Sequence, residues 1–355
     1  MASLPTPSAP LRAAIDRFDA SAARGYLAAA SIGLPIDATV AAMRADLSAW
    51  RAAKRDPMGY EEVVEATRAH FARLVNVGVE RVAIGSQTSV MTSVIAAAVP
   101  AGAEVLCVEG DFTSIVFPFL QRADITVRSV PLDDLAASIT DATWLVVFSL
   151  VQSSNGRVAE AAAVRAAAAA HGCRTLCDAT QAAGVHPFDA SLYDATVCHA
   201  YKWLCAPRGV GFLTVSEAFA EQLTPVHAGW YAGEHIWQSI YGPGMELAAD
   251  ARRFDVSPAW PCWPGAEPVI GMFAELDIAE VWARTSGLGD LLCDALGIPQ
   301  QHQAIVTWPD AGGDALGRLT AAGIKASGRA GRLRTAFHLW NDESDVEAVA
   351  RALVR

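Results

Sequence analysis

Arg174-Thr175-Leu176-Cys177-Asp178-Ala179-Thr180-Gln181 and, one connection later, Ala195-Thr196-Val197-Cys198-His199-Ala200-Tyr201-Lys202 carry the reading of the fold. In each, an apolar run of strand length ends on a polar side chain and passes into a loop. Similar runs span 81–84, 104–109, 125–130, 143–149 and 210–215, with helical spacing between them, most plainly over 159–170. Strands alternating with helices predict a mostly parallel sheet covered by helices on both faces. Ligands of such sheets sit beyond the carboxyl ends of the strands. Asp178 and Lys202 are therefore expected side by side at a binding edge.

Outward from this centre, a polar leader precedes helical patterns over 36–50 and 60–74. The stretch 225–264 gathers Trp230, Tyr231, Trp237, Tyr241, Trp260 and Trp263 among glycines and prolines, and reads as a long structured excursion. Beyond it, helices over 268–284 and 287–296, a strand at 304–308, a helix at 314–322, a strand at 333–340 and a helix at 344–353 predict a small α+β domain.

The 355 residues are 52% hydrophobic and carry a net charge of −11, enough apolar side chain for a large core and no basic block. Nucleic acid and anionic membrane surfaces would meet net repulsion, which leaves small molecules as the expected partners. No apolar run reaches the ~18 residues that span a bilayer. The leader lacks the charged start and apolar stretch of a signal peptide, so a cytoplasmic location is expected. Seven scattered cysteines predict buried free thiols, with neither disulfides nor a metal site. Of 27 basic residues only Lys54, Lys202 and Lys325 are lysines, which makes a lysine after a buried strand unusual in this chain.

A partly desolvated lysine amine can form a Schiff base with an aldehyde cofactor and then carry a proton at a substrate's α-carbon. An acid ending the neighbouring strand has a matching use, because a carboxylate against a pyridine nitrogen keeps the ring protonated and electron-withdrawing. Gln181 can donate a hydrogen bond to the phenolic oxygen of such a ring. Singly, Asp178 reads as a helix cap and Lys202 as a solvated charge. Together, with the lysine between Tyr201 and Trp203, they predict pyridoxal 5'-phosphate on Lys202. Gly85-Ser86-Gln87-Thr88-Ser89 follows a strand and opens a helix, so free N–H groups, the helix dipole and hydroxyls converge on one anion. A plain helix cap by Ser86 or Thr88 has the same signature.

These blocks resemble the class V aminotransferase superfamily of fold-type-I pyridoxal-phosphate enzymes, which includes kynureninases, isopenicillin N epimerase and cysteine desulfurases. The stretch from Tyr26 to Pro35 is similar to the family's opening motif, and Val151-Gln152-Ser153-Ser154-Asn155-Gly156 to a loop before the aspartate. The resemblance implies a seven-stranded, mostly parallel sheet with helices on both faces and a small C-terminal α+β domain. It implies that Gln87, Thr88, Ser153, His199 and Tyr201 hold the cofactor and that Phe112 stacks on its ring. Arg334, opening a block similar to the family's carboxylate-binding motif, is implied as the grip on the substrate, with Ser31 and Trp230 as further substrate-binding residues. Arg329 and Arg332 compete for that role, but as loop charges they are expected to face solvent. Desulfurases carry histidine where this chain has Phe112 and a nucleophilic cysteine just ahead of the arginine, where 326–331 has none. Classical desulfuration is therefore not expected.

The expected division is 1–35 as an N-terminal segment serving the small domain and active site, 36–260 as the cofactor domain and 261–355 as the small domain. The expected function is transformation of an amino acid by aminotransferase-type chemistry. The alternatives are β-elimination, as in a carbon–sulfur lyase, and epimerisation of a modified amino acid. A dinucleotide enzyme is disfavoured because no GxGxxG follows a strand. A non-catalytic binding module is disfavoured because no DNA-binding domain is attached. Arg253-Phe254-Asp255-Val256-Ser257-Pro258 is similar to a family segment whose hydroxyl reaches the partner's phosphate, which implies a homodimer with Trp230, Tyr231 and Ser257 near the partner's cofactor.

Overall fold

The computed structural model describes residues 4–353; the start of the leader, residues 1–3, and the last two residues lie outside the described part. Seven strands, β1 (Val82–Gly85), β2 (Glu104–Val108), β3 (Thr126–Val130), β4 (Thr143–Ser149), β5 (Arg174–Asp178), β6 (Ala195–His199) and β7 (Gly211–Val215), form one sheet. Its order is β1-β7-β6-β5-β4-β2-β3. Strands β2 to β6 pair in parallel, and only β7 runs against its neighbours. The central strands are buried on both faces, so their side chains alternate between two apolar layers. Leu106, Val146, Phe148, Cys177 and Phe212 enter one layer, and Cys107, Leu145, Val147, Leu176 and Leu213 the other.

Register sets which polar residues meet at the carboxyl edge. Ser149 lies opposite Asp178, and Asp178 opposite Val197, two residues before His199. Because β7 is reversed, its first residue, Gly211, lies between His199 and Gly85, the last residue of β1. The turn after β1 thus reaches the same edge as Asp178 and His199. Helix Thr88–Ala98 starts from it.

A second sheet of three antiparallel strands, β8 (Ile305–Pro309), β9 (Ser327–Arg329) and β10 (Arg332–Ala336), has the order β8-β10-β9. Leu292, Val306, Leu319, Leu333, Phe337 and Val346 form its core. The N-terminal segment joins it, with Leu27 N–H donating to Lys325 O at 2.8 Å and Ala336 N–H to Leu27 O at 2.9 Å.

Three expectations about the C-terminal part need correction. The helices run Trp263–Phe273 and Ile278–Leu296, with Pro268 inside the first; the break comes at Asp277, whose carboxylate caps Ala279 N–H at 2.9 Å. The strand expected to reach residue 340 stops at Ala336, because Asn341 closes a turn by accepting from His338 N–H at 2.9 Å. Strand β9 was not expected at all. Helix Trp263–Phe273 packs on helices Asp37–Arg51 and Gly59–Leu74 of the large layer, and Thr39 Oγ1 donates to Gly265 O at 2.7 Å. We therefore propose the joint between the two units after Phe273 rather than at residue 261.

Candidate active site

Asp178 ends β5 and is buried. The N–H of Thr180 donates to its Oδ1 at 2.8 Å, while Thr180 Oγ1 accepts from His199 N–H at 3.0 Å and ties the ends of β5 and β6 together. Burial raises the Asp178 carboxyl to about 6, against the hydrogen bonds from Thr180 and the charge of Lys202. Such a group is poised for a cationic partner that restores its ionised form.

Lys202 follows β6 on a turn that the N-terminal segment covers: Gly33 N–H donates to Tyr201 O at 2.9 Å. A Cβ at Gly33 would stand 2.1 Å from Lys202 O, so only glycine fits this approach. Lys202 itself is 6% exposed. Burial lowers its ammonium to about 8, with Asp178 holding it up and Arg334 and Arg329 depressing it. Its Nζ lies 5.3 Å from the centre of the Phe112 ring and 5.8 Å from that of Tyr201. Phe112 is set by Asp111, a buried acid the sequence reading passed over as a loop residue. Its carboxylate accepts from Phe112 N–H at 2.6 Å, Ser149 N–H at 2.8 Å, Ser149 Oγ at 2.6 Å and Gln152 Nε2 at 3.1 Å.

The amide of Gln181 has one possible orientation. Trp203 Nε1, a donor only, gives its proton to Gln181 Oε1 at 2.7 Å, and Gln181 Nε2 donates to Ala30 O at 3.0 Å. One N–H of that amide is left over. Toward β1, buried His199 packs edge-on against Tyr201 at 4.5 Å, and its Nε2 has no hydrogen-bond partner. Thr88, buried, opens helix Thr88–Ala98 with the exposed Gln87 before it, and no side chain caps that helix start. A buried ring nitrogen without a partner and an uncapped helix start meet the needs of a phosphate. Arg208, another residue the sequence reading missed, places its guanidinium 5.2 Å from the Tyr201 ring centre.

On the other side, Arg334 of β10 is 3% exposed. Its guanidinium donates to Ser327 Oγ at 3.1 Å, Ser31 Oγ at 2.8 Å and the carbonyl of Ser153. All three partners are neutral, and burial lowers its pKa to about 10.

Residues 37–311 match the family model described as aminotransferase class-V. The chain belongs to the class V aminotransferase family. It is 28% identical over 235 residues to the kynureninase of Deinococcus radiodurans, covering 62% of this chain and 56% of that protein. It is 27% identical over 249 residues to the isopenicillin N epimerase of Streptomyces clavuligerus, covering 63% and 62%. The chain thus spans about six tenths of the length of these curated relatives. In fold it is similar to the cysteine desulfurase CsdA of Escherichia coli, with a TM-score of 0.83, 21% identity and 98% of both chains covered. The cofactor of this family member is pyridoxal 5'-phosphate, and the groups around Lys202 fit it at three points: an acid for the pyridine nitrogen, an aromatic ring beside the lysine, and an anion cradle at the turn after β1.

In this class V protein, two of the expected site residues, Trp230 and Ser257, lie in the segment 225–264. Trp230 contacts Tyr231 and Trp237, each at 5.2 Å between ring centres, and Trp237 Nε1 donates to Glu61 Oε2 at 2.6 Å. Trp230 is half-buried in this aromatic group. Ser257 is exposed beside β1, because buried Asp255 pins the preceding residues by pairing with Arg68 at 2.7 Å and accepting from Ile84 N–H at 2.7 Å. Ser153 joins the site through its carbonyl on Arg334. Among the described residues no helix is long and apolar enough to cross a membrane.

Proposed function

We propose that this enzyme transforms an α-amino acid at its α-carbon by aminotransferase-type chemistry, with its cofactor attached to Lys202. One observation carries the reading: Arg334 is a buried cation surrounded only by neutral oxygens. A buried charge without a counter-charge is costly, and a planar fork of donors fits a carboxylate. Arg334 with Ser31 then fixes the substrate's α-carboxylate on the side of the site facing the small sheet.

Pyridoxal phosphate supplies the electron sink for charge developing at the α-carbon. Asp178 would support that sink by holding a proton at the ring nitrogen, and the spare N–H of Gln181 would be free to donate to the phenolic oxygen. Lys202 would hold the cofactor and would serve as the base and acid that moves the proton at the substrate's α-carbon. An amine with a pKa of about 8 is near neutrality in the way such proton transfer requires. Phe112 would cover the ring, while Thr88, Gln87, His199 and Tyr201 would hold the phosphate. Cysteine-based sulfur relay is not part of the proposal. Six of the seven cysteines are buried, Cys262 is half-buried, and burial raises every one of these thiols. The stretch ahead of Arg334 is a two-residue hairpin turn, with Ala330 and Gly331 both at positive φ.

The test is a panel of L-amino acids and the matching amines without a carboxylate, followed by the cofactor's visible band and by assays for keto acids, pyruvate and ammonia. Amino acids should shift the band at concentrations about 10²-fold below the amines, the order expected for a desolvated charge pair. Accumulating pyridoxamine phosphate with keto acid supports transamination. Pyruvate with ammonia would replace it by β-elimination, and equal response to amines would reject carboxylate recognition.

We also propose a homodimer. Tyr241 is 87% exposed, with Ile240 and Met245 exposed beside it, an apolar tip that a second copy would cover. Sedimentation at micromolar concentration should give twice the chain mass. A monomer with full turnover would reject the proposal.

A further inference from the structure

The hairpin that carries Arg334 brings two more arginines to the same side. Ser327 lies directly opposite Arg334, and Arg329 directly opposite Arg332, across the antiparallel β9–β10 pair. Opposed residues share a face of the sheet, and so do residues two apart along a strand. Arg329, Arg332 and Arg334 therefore stand on one face, the one from which Arg334 reaches Ser31 and Ser153. Arg329 is exposed and Arg332 half-buried, in line with the expectation that they face solvent, but β9 places them on a strand pair beside Arg334 rather than on a loop.

None of the three has a carboxylate partner among its hydrogen bonds. Arg332 spends its guanidinium on Thr307, with Nε on Oγ1 at 3.2 Å and Nη2 on the carbonyl at 3.0 Å. Arg329 donates only to the carbonyl of Gly328, at 2.7 Å, and its head is exposed. This accumulation occurs in a chain of net charge −11. The charge of Arg329 is felt within the site, where it depresses both Lys202 and Arg334. A diagonal pair such as Arg329 and Arg334 is rooted ~7–8 Å apart. That spacing suits a ligand holding two anionic groups a few carbons apart.

We propose that Arg329 is a second anion-binding residue of the site, and that the accepted amino acid carries a side-chain carboxylate or a comparable oxyanion. The inference rests on the amino-acid reading above: Arg334 takes the α-carboxylate and Arg329 the distal group. Arg332, held by Thr307, braces the face without offering a free fork. The two-residue turn at Ala330–Gly331 keeps the hairpin short and the position of Arg329 defined.

The experiment titrates the holoenzyme with L-aspartate, L-glutamate and L-cysteine sulfinate against L-asparagine and L-glutamine, read by the cofactor's visible band. The amides match the acids in shape and lack the charge. The acids should bind about tenfold or more tightly than the amides, ~1.4 kcal/mol per decade. In Arg329→Gln, a surface change that leaves the core untouched, the acid-to-amide ratio should collapse toward one. A ratio near one in the unaltered protein, or a large ratio retained in Arg329→Gln, overturns the proposal while leaving amino-acid chemistry standing. No response to any amino acid overturns both.

Discussion

Lys202→Ala should lower turnover by roughly 10²–10⁴, the range of a positioned proton-transfer group, while pyridoxal phosphate still binds without a covalent link. Two sets of contacts lead to this split. The proposed phosphate cradle at Thr88 and His199 and the acid Asp178 belong to the helix after β1 and to the ends of β6 and β5, which the change leaves in place. What is lost is the one amine buried at this edge, 5.3 Å from the Phe112 ring centre. Dialysis should therefore strip cofactor from Lys202→Ala faster than from the parent protein. Full turnover in the variant would assign the proton transfer to another group.

Asp178→Asn has two expected effects of opposite sign. Turnover should fall by roughly 10²–10³, as for loss of one preorganised electrostatic contact, because a neutral amide cannot hold the ring nitrogen protonated. The cofactor-free protein should become more stable. Its Asp178 carboxyl titrates at about 6, above the ordinary 3.8, so the folded state favours the protonated form. Ionising it in the fold costs on the order of 3 kcal/mol, present above about pH 6 and vanishing as the pH falls toward 4. Melting of cofactor-free Asp178→Asn should thus exceed that of cofactor-free parent at pH 8, with a gap that narrows by pH 5. A gap independent of pH would mean that the carboxylate is not strained by burial.

The strands that build the binding edge were legible because they are buried on both faces. Burial on both sides leaves an unbroken apolar run, and β4, β5 and β6 begin and end where those runs do. Lys202 and Asp178 could be placed at one edge for the same reason. Strand β9 could not, since Ser327, Gly328 and Arg329 carry no periodic signal and become a strand only by pairing with β10. That pairing, invisible beforehand, decides where Arg329 and Arg332 stand. Asp111 was illegible for a related reason: a single acid in a loop acquires meaning only when Ser149 and Gln152 are folded onto it. The Trp203 indole that sets the Gln181 amide is likewise a contact between two loops.

The central claim is that one lysine, Lys202, carries the cofactor. Borohydride reduction of the holoenzyme, followed by digestion and mass mapping, tests it most directly, because the chain has only two other lysines. The account predicts a stoichiometric pyridoxyl label on the peptide containing Lys202, together with loss of the visible band. Label on Lys54 or Lys325, or a band that survives reduction with no peptide labelled, would contradict it.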